Sequence, residues 1–458
     1  MSIRKLITPA LLAIALLQSE GVYAQTDSLG NQLSVGLEFV THGEVCGGGL
    51  PLSGSEIINE KSSKFLFGRT RVAVDYKRQG LQAYAVLQNK AVWGMSRNQA
   101  LNLYEGWVKM SSKSGFFGQI GRVALSYDDE RIIGPNDFAV AALSHDVVRA
   151  GYEGHGHQLH AVMAYNQDDE QVYSGTYYGN GSQPYKTMQI LWYHYDVPKI
   201  PLGVSLLFMN VGLQAGYPEV DQNKDPEGYE KYKYNPARTV NQRMLGGYIC
   251  YHPSFMNLEC SYYKQKGKEV DDILQVGKID AWMARFKATV TPWKNYGFQL
   301  GYDYLSGDDY VPIIYGGMAG LVQHKENNGF CPLYGSRSKF YGIMDYFYES
   351  AYSCSFTPGL QNAFAGVNAS PTSKLEGSVI YHYMATASKL RNLSRTLGHA
   401  IEIQASYKFT KDITLAVGFT QMKGTETMDL LKQGQGTKHA NWGWFSLVVR
   451  PSLFTAKW

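Results

Sequence analysis

Stretches of two-residue hydrophobic periodicity, about eighteen of them, run the length of this chain, and the connections between them alternate strictly between long and short. The short ones fall at 78–80, 111–115, 154–156, 197–202, 252–255, 291–296, 368–373 and 409–412. A soluble sandwich has no reason to sort its loops by length. A barrel that crosses a membrane does, because its turns on one side are short and its loops on the other long. The expected fold is all-β: a single closed antiparallel transmembrane β-barrel of about 18 strands, with short periplasmic turns, long extracellular loops and both termini in the periplasm. A protease site built into residues 211 to 241 should then be cut on intact cells, and one in 252–255 should be spared. The reverse pattern would overturn this orientation.

Individual strands carry the same message. In Phe65 to Lys77, Leu66, Val72, Val74 and Tyr76 share one face, while Arg69, Arg71, Asp75 and Lys77 share the other. Leu81, Ala83, Ala85 and Leu87 oppose Gln82, Gln88 and Lys90, and Trp282, Ala284, Phe286 and Ala288 oppose Met283, Arg285 and Lys287. The 34 Tyr and 48 Gly suit such a wall, half wet and half lipid-facing. Past the N-terminus no run approaches the roughly twenty apolar residues of a membrane helix, so any crossing must be made by strands.

Residues 1–24 read as a signal peptide: Arg4 and Lys5, an apolar stretch from Leu6 to Leu17, and Val22-Tyr23-Ala24 before Gln25. Residues 25–458 then form the barrel as one domain. The net charge of +4, or +3 without the leader, is too small to indicate nucleic acid. Five cysteines (Cys46, Cys250, Cys260, Cys331, Cys354) match no zinc spacing, and Cys331 with Cys354 either staple one long connection or stay free.

The densest charge lies between Gly118 and Arg149. Arg122 interrupts an apolar strand, and hydrocarbon penalises a guanidinium, so the lumen is its expected direction. Tyr127 to Arg131 reads as a loop turned inward, its carboxylates Asp129 and Glu130 pairing with strand arginines rather than holding calcium. Inward candidates by parity are Arg69, Arg71, Lys90, Arg122, Arg149, Arg285, Lys287 and Lys408, with Arg131 on the loop. Opposed to them are Asp75, Glu105, Glu153, Asp303 and Glu402, of which Asp75 and Asp303 join Asp129 and Glu130 as expected counter-charges of a constriction. Lys and Arg rings favour anions.

Gly121-Arg122, Tyr127-Asp128-Asp129-Glu130-Arg131, Ser144-His145-Asp146, Leu305 to Asp309, Pro332-Leu333-Tyr334-Gly335, Phe340 to Tyr348, Leu397-Gly398-His399 and Asn441-Trp442 resemble, in order, segments of the alginate export family of outer-membrane porins. The resemblance runs from about residue 30 to the end. It implies an eighteen-stranded barrel with an arginine-rich lumen passing an acidic polysaccharide. The lumen candidates here mix both signs more evenly than that.

His155, His157 and His160 lack a nearby carboxylate or Cys, so they read as a polar turn rather than a metal site. Ser144-His145-Asp146 has the residue types of a hydrolytic triad, but neighbours on an extended segment point apart. The sequence thus points to a passive, anion-preferring porin in the outer membrane, with no catalytic residues, cofactor or metal. Its expected partners are outer-membrane lipid, the outer-membrane assembly machinery during insertion, and an anionic solute or acidic polysaccharide. A barrel hydrolase and a plugged structural or adhesive barrel are the alternatives.

Overall fold

A computed structural model describes residues 30–48, 62–94, 100–138, 142–167, 185–214, 239–270, 276–308, 314–315, 318–319, 326–336, 339–344, 358–390, 393–431 and 439–458. The proposed leader and Cys354 lie outside them.

The wall begins with β1 (Gln32–Gly48), β2 (Ser62–Arg78), β3 (Leu81–Val92), β4 (Ala100–Ser111), β5 (Phe116–Val123) and β6 (His145–Gly154). It continues through β7 (His157–Tyr165), β8 (Thr187–Asp196), β9 (Leu202–Gln214), β10 (Thr239–Tyr251), β11 (Met256–Val270), β12 (Val276–Trp293) and β13 (Tyr296–Leu305). Three two-residue pieces follow in the long connection, β14 (Ile314–Tyr315), β15 (Met318–Ala319) and β16 (Glu326–Asn327). The wall resumes with β17 (Leu360–Ala369), β18 (Leu375–Ala385), β19 (Thr396–Lys408) and β20 (Ile413–Gly424). One helical turn, α1 (Glu426–Leu431), precedes β21 (His439–Val449) and β22 (Ser452–Lys457), which prolongs β21 past Arg450 and Pro451.

Each wall strand pairs antiparallel with its sequence neighbour, and β1 pairs with β2 on one side and with β21 and β22 on the other. The sheet therefore closes as an eighteen-stranded barrel with no free edge, which a membrane demands. The seam is finished by reciprocal backbone bonds between Asn31 and Trp458, 2.7 and 3.0 Å. Short turns stand where the sequence put them. At the tightest, His155 (φ 53°) and Gly156 (φ 81°) both take positive φ, the geometry of a two-residue hairpin that follows the strand twist.

The outer surface carries exposed Val72, Val74, Leu87, Val108, Ile120, Leu206, Leu245, Phe286, Leu300, Ile403 and Phe445 from every part of the wall. Such a continuous apolar belt suits lipid. No described helix is long and apolar enough to cross a membrane. The core lies inside the barrel. Inward side chains Met188, Ile190, Leu207, Met209, Met244 and Met283 pack against Leu125, Ile132, Ile133, Phe330 and Tyr334 from two connections that fold into the lumen.

Candidate functional site

The first of these connections, after β5, crosses the lumen and is pinned to three parts of the wall. On one side Asp129 meets Arg285 of β12 at 2.7 Å and Arg131 at 3.3 Å. On the opposite side Asp137 meets Arg69 at 3.1 Å and Arg71 at 2.7 Å, both from β2, and these share Glu38 of β1 with Arg450. Between them Asp128 (φ 54°) accepts from Trp192 Nε1 at 3.0 Å and Tyr263 Oη at 3.3 Å. Asp128, Asp129 and Asp137 are thus anchors pointing to separate partners.

The second connection interlocks with the first. Tyr334 N donates to Ile132 O at 3.0 Å, Gly134 N to Tyr334 O at 2.9 Å and Ser336 N to Glu130 O at 2.9 Å, around a parallel bridge between Ile133 and Tyr334. The Glu130 carboxylate accepts from Ser126 Oγ, Ser336 Oγ and Lys339 Nζ at 2.9, 2.9 and 2.5 Å. Arg131 is the hub. Its fully buried side chain lies against Asp129 and Asp303, both at 3.3 Å, donates to Tyr341 Oη at 2.6 Å, and stacks under Phe340 with the guanidinium carbon 4.0 Å from the ring centre. Arg285 completes a quartet of alternating sign, 3.6 Å from both Asp303 and Glu259. A buried guanidinium is tolerable only with such complete compensation.

Burial alone would push the Asp129 carboxyl up, but Arg131 and Arg285 outweigh it and hold it below the ordinary range. A depressed pKa contributes stability above the unfolded value and loses it only as pH falls through the lowered one, so this anchor survives mild acid. Asp128 goes the other way. Burial raises it, with hydrogen bonds from Ser205 and Trp192 only partly offsetting, so its contribution is present at low pH and fades as pH rises through the raised value. Burial pushes the Tyr341 hydroxyl up to about 12, so it stays a donor or acceptor and never an anion at neutral pH.

Beside Phe340 and Tyr341 lies a cavity of about 80 Å³ whose lining includes Arg131, Arg285, Lys287 and Lys339 with the carboxylates Asp303 and Glu402. Ile343 N donates to Glu402 at 2.8 Å, which ties the second connection to β19. Asp303 also accepts from Asn362 at 2.9 Å. Lys287 has no ion-pair partner within 4 Å among the described residues.

Arg122 apart, the expected site residues divide into three groups. Arg69, Arg71, Arg131, Arg285, Lys287, Asp129, Glu130 and Asp303 come together around the two connections, as above. Lys90 and Arg149 also point inward, Lys90 opposite Arg69 and Arg149 with its guanidinium 5.4 Å from the Phe117 ring centre. Asp75 and Lys408 point inward close to the short turns, bound to Lys77 and Gln82 and to Glu376, far along their strands from the quartet.

Arg122 is a correction. It lies on the face of Ile120, which is 62% exposed, while Phe117, Gln119 and Val123 point inward. It faces out of the barrel, one residue from the end of β5, in a two-pronged pair with Asp146 at 2.8 and 2.6 Å. The cost of an outward arginine falls to about 0–1 kcal/mol near the membrane interface, so the solvation argument that turned it inward holds only at mid-depth.

His145 points inward against Tyr185 Oη at 2.8 Å while Asp146 points outward, so this segment cannot form a triad. His155 occupies the turn and His157 opens β7, while His160 lines the lumen bonded to Glu153 and Tyr127, both at 3.2 Å, so a carboxylate does stand beside it, contrary to the sequence reading. No three His, Cys, Asp or Glu among the described residues form a metal-binding group. Cys46, Cys250 and Cys260 are free, and Cys331 is disulfide-bonded.

Sequence reasoning missed Glu38, Asp137, Glu259 and Lys339; it had Asp128 only as a member of the loop's acidic cluster, and Phe340 and Tyr341 only within a segment that carries the resemblance. Parity would have found Glu38 and Glu259; nothing local distinguishes the loop residues.

No protein-family profile matches the chain, and no curated protein matches it in sequence. Its fold does match solved structures. Pseudomonas aeruginosa OccK5 (OpdH) aligns with a TM-score of 0.56 at 11% identity, over 91% of this chain and 98% of that one. Acinetobacter baumannii OccAB1 gives 0.58 at 11%, over 92% and 97%, and P. aeruginosa OccK2 (OpdF) 0.58 at 10%, over 92% and 98%. At such identities the likeness is one of fold, and it does not support the alginate export family over other porins. The chain has the eighteen-stranded fold of outer-membrane porins.

Proposed function

We propose that the protein is a passive outer-membrane channel that prefers small anionic solutes. The observation that carries this is Lys287, which lines the cavity beside the interlocked connections with no ion-pair partner within 4 Å among the described residues, while Arg131, Arg285 and Lys339 there are each paired with acids. A water-filled pore selects by the sign left uncompensated at its narrowest ring. The quartet of Asp129, Arg131, Arg285 and Asp303 fixes the ring in place, and Lys287 supplies the excess.

Export of an acidic polysaccharide rests on the sequence resemblance alone. A space of about 80 Å³ holds only a few waters, so a sugar chain would require the connections to withdraw. The plugged barrel is favoured by the same interlock, and conductance separates it from a channel.

The test is reversal potential under a salt gradient for the full chain in a planar bilayer. Lys287→Gln should reduce anion preference, and Lys287→Glu should carry the channel toward cations. Arg122→Ala, on the outer face, should leave selectivity unchanged. Absence of any wild-type conductance would favour the plug, and selectivity unmoved by both Lys287 variants would remove this cavity from the permeation path.

A further inference from the structure

On β10, β11 and β12 the outward face changes character toward the long connections. Exposed Leu245, Tyr262 and Phe286 belong to the apolar belt. Tyr262 then packs against Trp282 (6.1 Å between ring centres), which stacks on Tyr304 (4.6 Å), and such aromatic girdles mark the height where hydrocarbon gives way to headgroups. Immediately beyond it the same face presents Arg243, Lys264, Lys266, Lys268 and Lys278. Register sets Arg243 directly opposite Lys266, and Lys268 directly opposite Lys278. Like charges facing each other across a strand pair are destabilising.

Two acids relieve part of this: Asp280 pairs with Lys264 and stands directly opposite Lys266, and Glu326 of β16 pairs with Lys278 at 2.5 Å. Arg243, Lys266 and Lys268 are exposed and have no ion-pair partner within 4 Å among the described residues. The lumen arginines of β2 and β12 behave differently, since Arg69, Arg71 and Arg285 each meet acids of the chain itself. An outward cation row at headgroup height, only partly compensated among the described residues, is complementary to anions of the surrounding lipid.

We propose that this patch binds the phosphate groups of an anionic glycolipid in the membrane leaflet on the long-loop side. The inference rests on the barrel spanning a membrane and is independent of what the lumen conducts. Diphosphorylated lipid A is the probe. Its binding to the purified full chain in neutral detergent can be measured by thermophoresis, beside dephosphorylated lipid A and inorganic phosphate. Removing the phosphates should weaken binding roughly tenfold or more, as should Arg243→Gln/Lys266→Gln/Lys268→Gln, since each cation near an anionic surface contributes on the order of a fivefold change. Lys268→Gln alone should give a smaller loss in the same direction. Lys64→Gln/Lys423→Gln, which removes exposed cations elsewhere on the barrel, should change nothing, and heat-modifiable migration on gels reports that each barrel is closed. Equal affinity for both forms of lipid A, wild-type affinity in the triple variant, or full competition by inorganic phosphate at the lipid's own concentration would each overturn the proposal.

Discussion

Replacing Arg131 with alanine should raise conductance while leaving the barrel closed. Its guanidinium touches Asp129, Asp303, Tyr341 and Phe340, so it joins the first inward connection, the second one and the wall at a single point. Its loss leaves two buried carboxylates sharing Arg285 alone. Breaking a buried ion pair from one side costs about 3–5 kcal/mol. That cost falls on the contact between the connections, because closure of the wall depends on backbone bonds from strand to strand. The second connection should therefore loosen from the first and widen the passage. Removing Asp129 as well should recover part of the stability but not the narrowing, since the unpaired charge goes while the pin stays broken. Single-channel conductance, with heat-modifiable migration as the folding control, decides the matter. A closed barrel with unchanged or smaller conductance would show that the connections do not set the constriction.

Arginine on the outer face at mid-depth should do the opposite kind of damage. Val74 and Phe286 are exposed to the membrane at 38% and 41%, and neither has a carboxylate directly opposite on a neighbouring strand. Val74→Arg or Phe286→Arg should cost about 2–4 kcal/mol of folding into bilayers if the site lies near the midplane. Arg285→Ala, one residue from Phe286 but on the inner face, should fold into bilayers far better and show its effect in selectivity. The pair of neighbours makes the comparison sharp, since only the direction of the side chain differs. Folding yield into lipid vesicles measures it, and equal damage from Phe286→Arg and Arg285→Ala would argue for an ordinary soluble core.

The contrast between Arg285 and Arg122 shows how far the sequence reaches. Arg285 was placed inward by its neighbours, Phe286 and Ala284 on one face and Met283 and Lys287 on the other. Arg122 shares its face with outward Ile120. Counting it among the lumen residues by parity misreads that face, and the penalty on a guanidinium in hydrocarbon reinforces the misreading. Depth in the membrane is not local, and the one-residue distance from the end of β5 is what makes the outward position cheap.

The inward core was hidden for a related reason. Met188, Ile190, Leu207 and Met209 make β8 and β9 apolar on the lumen face as well as on the lipid face, which a wet channel wall does not predict. Their partners, Ile132, Ile133, Phe330 and Tyr334, come from connections with no periodicity. Two-residue alternation and the order of long and short connections determined the strands, their facing and the closed barrel, because a strand in a membrane meets lipid on one side at every second residue and has no free edge. Only the tertiary structure decided that Asp129, Arg131, Arg285 and Asp303 form one quartet and Asp137, Arg69 and Arg71 another cluster. Those contacts join residues up to about 170 positions apart through connections whose path is set by what they pack against inside the barrel, and no local pattern encodes that path.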